Sequence, residues 1–241
     1  MTAATPRLSV AILALLLFGT ACSEGTTGTT LAPDVDTILT ASAEVMGDID
    51  YVRFTIERGG APIYIDPADA LAFEDAEGRF EGPSSADAIV HIKVSGLTAE
   101  IGAVAIDGDT WLSNPITGTW EPAPAGYNLD PATLFDPDEG WRPLLASGLI
   151  DAELVGLEDR DAGELYHVRG TADRERIATI TAGLVDDQDV VLDIWIEPTT
   201  GYVREAEFVT IYRGEETTWR LTFSEFGEPI EVNVPDLGGE G

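Results

Sequence analysis

The sequence predicts an α+β fold that is mainly β: one antiparallel sheet curled around a small number of helices. Three observations carry this expectation. Apolar and polar residues alternate with a period of two along many segments, as in Val52–Glu57 and Ala88–Ser95. Period-two alternation places one face of a strand in a core and the other in water. The segments follow one another at hairpin spacing, and helical periodicity is confined to a few short stretches, which excludes βαβ units.

The chain opens with a short apolar run, Leu8–Phe18, that stops at small residues before Cys22, the single cysteine. The run is too short to span a bilayer and has the shape of an export signal over residues 1–21. Cys22 then reads as a lipidation point and as the N-terminus after cleavage. Residues 22–32 form a Gly/Thr-rich tether whose last ten residues span roughly 17 Å root-mean-square as a flexible coil. A single domain over 33–236 and a disordered tail over 237–241 complete the division.

Pro33-Asp34 opens an amphipathic helix in which Val35, Ile38, Leu39, Ser42, Val45 and Met46 recur at helical spacing, with Gly47 at its end. Strands are expected over 51–57, 87–95 and 99–105, and Asp107-Gly108 is a strong hairpin signal. Ala99, Ala103 and Ala105 leave room on the inward face for a close helix or a ligand. Val104 is out of phase with them, so either a bulge lies nearby or it faces away. The Asp66–Glu81 stretch is acidic and reads as an insertion at a rim. Residues 113–140 are rich in Pro, Gly, Asn and Asp, and so long an irregular segment is usually functional. Short helical stretches fit 131–135 and 140–147. Further strands are expected at 150–157, 164–170, 190–197, 202–210, 217–224 and 229–234, with a helix at 173–183 capped by Asp173.

The formal charge is −31, from 44 acidic and 13 basic residues, and Lys93 is the only lysine. Nucleic acid is excluded as a partner, because phosphate contacts need clustered Lys and Arg. Docking on anionic headgroups by charge is excluded for the same reason. His91 and His167 have no second His or Cys at ligand spacing, and zinc needs three or four convergent ligands. Asp107/Asp109 and Asp136/Asp138/Glu139 read as turn chemistry rather than a calcium site. No nucleophile elbow, His-Glu-x-x-His helix or phosphate loop is present, so neither enzyme activity nor a cofactor is expected.

Six segments in order resemble one family. They are helix 34–46 running into Val52–Glu57, the Val104–Trp111 hairpin, Trp120 before a Gly/Pro loop, Tyr127–Gly140, Val191–Ile196 and Leu221–Ile230, where Phe226 replaces the usual Trp. Together they resemble the LppX/LprAFG family of actinobacterial lipoproteins. The resemblance implies a U-shaped antiparallel half-barrel with helices on its concave side, similar to the LolA/LolB carriers, and an apolar cavity for acyl chains. It implies carriage or presentation of an acylated lipid or glycolipid at the outer face of the cell membrane, with an export transporter as a further partner. An elongated apolar cavity is what such a role needs, since acyl chains cost about 0.8 kcal/mol per methylene in water.

On this reading Val52, Phe54, Ile56, Val90, Ile92, Ile101, Val190, Leu192 and Ile194 are first core and second cavity wall. Trp111, Trp120, Tyr127 and Trp141 are either entrance residues, where amphipathic rings suit a lipid–water boundary, or anchors of their loops. A rival reading keeps the same half-barrel but fills it with its own side chains, as an envelope interaction or sensor adaptor.

Overall fold

The computed structural model describes residues 33–66, 68–124, 130–181 and 183–237. The signal segment, Cys22, the tether, Tyr127 and residues 238–241 lie outside them. Helix α1 (Val35–Gly47) starts at Asp34, whose carboxylate accepts from the Thr37 backbone N–H at 2.9 Å and from its hydroxyl at 2.8 Å. This satisfies donors that a helix N-terminus leaves free. Its buried face is Ile38, Leu39, Ser42, Ala43 and Met46.

Twelve strands follow: β1 (Tyr51–Gly60), β2 (Ile63–Tyr64), β3 (Leu71–Glu81), β4 (Ser85–Val94), β5 (Leu97–Ile106), β6 (Asp109–Ser113), β7 (Trp120–Pro122), β8 (Leu149–Arg160), β9 (Gly163–Ala172), β10 (Val190–Ile196), β11 (Val203–Tyr212) and β12 (Glu215–Ser224). They form one open, curved antiparallel sheet in the order β7-β6-β5-β4-β3-β1-β12-β11-β10-β9-β8, with β2 beside β3. The β5–β6 turn holds Asp107 and Gly108 at φ 53° and 88°, the two positive values that a tight hairpin requires.

Register explains the layering. One inward row crosses nine strands as Leu154, Val168, Ile194, Ala206, Leu221, Ile56, Ala76, Val90 and Ile101. The neighbouring outward row is Glu153, Arg169, Asp193, Glu207, Arg220, Glu57, Asp75, His91 and Glu100. A slip of one residue would exchange an apolar row for an ionisable one, so the pairing is strongly specified.

The first and last strands of the sheet, β1 and β12, pair at its centre. The N-terminal half runs outward to β7, and the chain must then cross to β8 at the opposite edge. This topology accounts for the long irregular segment. It carries a 3-10 turn (Pro131–Phe135), α2 (Trp141–Pro143) and a wide π-type turn (Leu144–Gly148). With α1 and α3 (Arg174–Ile180, capped by Asp173), these pieces form the layer beneath the sheet.

Two expectations are corrected. Asp66–Glu81 is not a rim insertion: its second part is β3, paired with β1 and β4 inside the sheet. A register shift between Phe73 and Asp75 moves the inward positions from odd (Phe73) to even (Ala76, Phe80), which conceals the alternation. Residues 229–234 form no strand. Ile230 and Val232 pack instead on the outer face, against Val104, Tyr51, Ile106, Trp111 and Trp120. Val104 therefore faces away from the interior, opposite Ala103 and Ala105.

Candidate functional site

The nine strand positions expected to form a core or cavity wall are all buried in one apolar cluster with α1, α3 and the crossover. Three of them, Phe54, Ile56 and Val90, border an apolar cleft between the concave face and the layer beneath it. Strand residues Phe73, Ala76, Ala88 and Ala103 complete the floor, and Pro131, Leu134 and Leu184 form the roof. No polar side chain lines it.

The small floor arises from register. Phe54, Gly78, Ala88 and Ala103 stand in one row across β1, β3, β4 and β5. A Cβ at Gly78 would meet Phe54 Cζ at 2.3 Å, so the glycine accommodates the ring. Phe135 seals one side, with ring centroids 5.8 Å from Phe54, 4.8 Å from Phe80 and 5.8 Å from Phe223. As it stands the cleft has about 30 Å³ of accessible volume. That is enough for one or two waters rather than a chain of methylenes, so a longer occupant requires the roof to shift.

Three of the aromatic candidates lie apart from the cleft. Trp111 and Trp120 are on the outer face, where the ring of Trp120 covers Gly102. Their alternation partners in β5 and β6 determine this, and spacing within the irregular segment gave no sign of it. Trp141 is wholly buried under the sheet, edge-on to Phe223 at 5.2 Å.

The outer face carries the ionisable groups. His91 binds Asp75 at 2.6 Å, and that hydrogen bond raises its imidazole above the ordinary value. Burial pushes the Glu205 carboxyl up, but hydrogen bonds from Arg160 (2.5 Å) and Arg220 (2.8 Å) outweigh it and hold it below the carboxylate range. A broad groove of about 970 Å³ on this face is lined by Glu57, Arg169, Asp193, Glu207 and Arg220 together with Val191, Val209 and Ile211. Among the described residues no group of three His, Cys, Asp or Glu is placed to hold a metal ion, and no helix is long and apolar enough to cross a membrane.

An open antiparallel sheet folded over a helical layer, with a wholly apolar cleft between them, defines a half-barrel fold. The chain belongs to the LppX_LprAFG lipoprotein family, which matches it over residues 34–232. Among solved structures it is similar to LprF from Mycobacterium bovis, at 16% identity and a TM-score of 0.62 over 86% of this chain and 99% of that one. It is also similar to the lipoprotein LppX of Mycobacterium tuberculosis, at 13% identity and a TM-score of 0.57 over 83% and 98%. At these identities the likeness shows the fold. No curated protein sequence matches the chain.

Proposed function

We propose that the protein is a lipid-anchored envelope lipoprotein that takes acyl chains of a membrane lipid or glycolipid beneath its sheet and transports or presents them. The observation that carries this reading is the cleft, whose every lining residue is apolar. Bulk hydrophobicity supplies the affinity for such a cargo, and binding it requires no reacting group or cofactor. The roof is built from a 3-10 turn and the residue Leu184, not from a long helix. Short irregular segments cost less to displace than a packed helix or strand. Cys22 supplies the anchor, and its acyl chains hold the domain at the outer face of the membrane.

Native mass spectrometry of the chain from residue 23 onward, delipidated and then exposed to host lipid extract, tests this. The described fold begins at residue 33 and its buried apolar cluster begins at Ile38, so a chain starting at residue 23 contains all of it. The expected result is an adduct of lipid mass that organic extraction removes and added lipid restores. Protein that stays bare in the extract contradicts it.

A second reading, a filled half-barrel acting as an interaction module, is supported by the outer face. There Ile150, Val191, Val209 and Ile211 are about half exposed on β8, β10 and β11. Contiguous exposed apolar surface of this kind marks contact sites. Bare protein in the lipid experiment, together with a specific binding partner lost on Val191→Asp, would favour it.

A further inference from the structure

The β4–β5 and β6–β7 turns stand at the same end of the sheet. Val94 pairs with Leu97 and Ser113 with Trp120 at that end, while β5–β6 closes at the other, where Ile106 pairs with Asp109. Thr98 and Ala99 line one shallow depression with Asn114, Pro115 and Gly118, so the two turns lie side by side. Each holds a large apolar side chain out in water: Leu97 is 74% exposed and Ile116 92%, the highest values for large hydrophobics among the described residues. Residues 94–99 and 110–120 carry no charged side chain, in a chain that is 24% charged. Single exposed hydrophobics are ordinary, but two on adjacent charge-free turns call for an explanation.

Leu97 ends an apolar path that begins in the cleft. Phe73, a wall of the cleft, is in register with Ile92 and Ala99, and two residues further along the same face Leu71 is in register with Val94 and Leu97. Ile92 is wholly buried, Leu71, Val94 and Ala99 are partly buried against the core, and Leu97 reaches water. Lys93 and Glu100 alternate with these residues and so belong to the outer face. The Ile116 turn is already paired within itself. The backbone N–H groups of Ile116 and Thr117 donate to Asn114 Oδ1 at 2.9 and 3.2 Å, and that of Gly118 donates to the Asn114 carbonyl at 2.8 Å. A turn whose backbone is paired enters a low-water region without the penalty of unmade hydrogen bonds. Two protruding tips offer little of the roughly 800 Å² per partner that a stable protein interface buries. A bilayer closes round such tips and needs no matching contour. The net charge of −31 disfavours an anionic bilayer.

We infer that Leu97 and Ile116 dock the protein on a lipid bilayer with uncharged or zwitterionic headgroups, setting the rim of the apolar path against the hydrocarbon. The purpose of this docking rests on the acyl-binding reading above. An acyl chain leaving the bilayer there passes Leu97, Val94 and Ile92 on its way to the cleft and does not cross water. The docking itself stands on the two turns alone.

The test uses the chain from residue 23 onward and vesicles of phosphatidylcholine, alone or mixed with phosphatidylglycerol. The protein should sediment with phosphatidylcholine vesicles, and added phosphatidylglycerol should weaken the binding. Leu97→Ser and Ile116→Ser should each lower the partition coefficient about tenfold, the worth of partly burying one large apolar side chain. Both side chains are exposed, so the urea midpoint should stay where it is. The single cysteine is Cys22, so this chain has none and Ile116→Cys can carry one environment-sensitive fluorophore. Its emission should shift to the blue when vesicles are added, whereas the same label on Val209→Cys, on the outer face, should not respond. The Leu97→Ser/Ile116→Ser double variant should take up a palmitoyl lipid from vesicles at least tenfold more slowly, yet load like wild type when detergent delivers the lipid. Absence of partition, equal partition of wild type and double variant, tighter binding with added phosphatidylglycerol, or a shift at position 209 and not at 116 overturns the inference and leaves acyl binding intact. Failure to load by either route overturns the acyl-binding reading, and the partition measurement then decides the docking surface by itself.

Discussion

His167 lies flat against Trp195, with ring centroids 4.6 Å apart and planes 17° from parallel. The Arg160 guanidinium also lies over the indole ring, 4.0 Å from its centroid. Each nitrogen of His167 meets a carboxylate, Nδ1 with Glu158 at 2.7 Å and Nε2 with Asp193 at 2.6 Å. The stack joins β8, β9 and β10 from the outer side, across the sheet from the cleft. Trp195→Ala should therefore cost about 3–5 kcal/mol in urea denaturation, as for a large buried aromatic. Lipid binding by the folded variant should be unchanged, and a loss of binding without unfolding would contradict the separation of the two faces.

Titration should act on stability in two opposite senses. Glu205 (through Arg160 and Arg220, against burial), Glu158 (chiefly through the Trp195 indole), Glu74 (chiefly through Lys93) and Glu197 (chiefly through Thr200) are all held below their ordinary value of 4.5. A carboxyl held down in the folded state stabilises it above the unfolded pKa, and that contribution is lost as pH falls through the folded value. Thermal midpoints should drop on acidification below about pH 4.5. His91 is raised from 6.5, chiefly by Asp75, so its contribution is full below 6.5 and lost as pH rises through its folded value. His91→Gln should flatten that upper slope and leave the acid limb as it is.

Gly78 is set by space rather than backbone conformation. An added Cβ would lie 2.3 Å from Phe54 Cζ and 2.6 Å from the Asp87 carbonyl oxygen on the paired strand. The ring could rotate, but the strand backbone could not yield without losing register. Gly78→Ala should destabilise the fold by about 1–3 kcal/mol, the range for overpacking a filled site, measured as a shift in the urea midpoint.

Anchoring through Cys22 predicts that radiolabelled palmitate enters the chain and that the protein fractionates with membranes. Cys22→Ser should abolish both and release a soluble, folded domain. Membrane retention of the unlabelled variant would contradict the anchor, since two or more chains are what give firm attachment.

The strands that alternate without interruption could be read directly from the sequence, as could the Asp34 and Asp173 helix starts and the Asp107-Gly108 turn. β3 could not, because its bulge between Phe73 and Asp75 reverses the phase midway. Residues 229–234 carry a strand's alternation, yet Ile230 and Val232 use it to lie across the outer face, and periodicity does not distinguish pairing from covering. The same ambiguity hid the side on which Trp111 and Trp120 stand, although the phase of Val104 hinted at a second apolar surface. Of the cleft, the small inward residues of β5 were legible, Ala103 among them. Its roof was not: Leu134 comes from the crossover beneath the sheet and Leu184 from the segment between α3 and β10, two stretches far apart in the chain. The His167–Trp195 stack gathers residues from three strands and has no local signature at all.

The most direct test of acyl binding is photolabelling with a palmitoyl lipid carrying a diazirine near its chain terminus, followed by peptide mapping. The account predicts adducts on peptides containing Phe54, Ala76, Ala88, Val90 or Leu134, reduced when Ala88→Leu fills the floor. Adducts confined to the outer face around Val191 and Val209, or equal labelling of the Ala88→Leu chain, would contradict it.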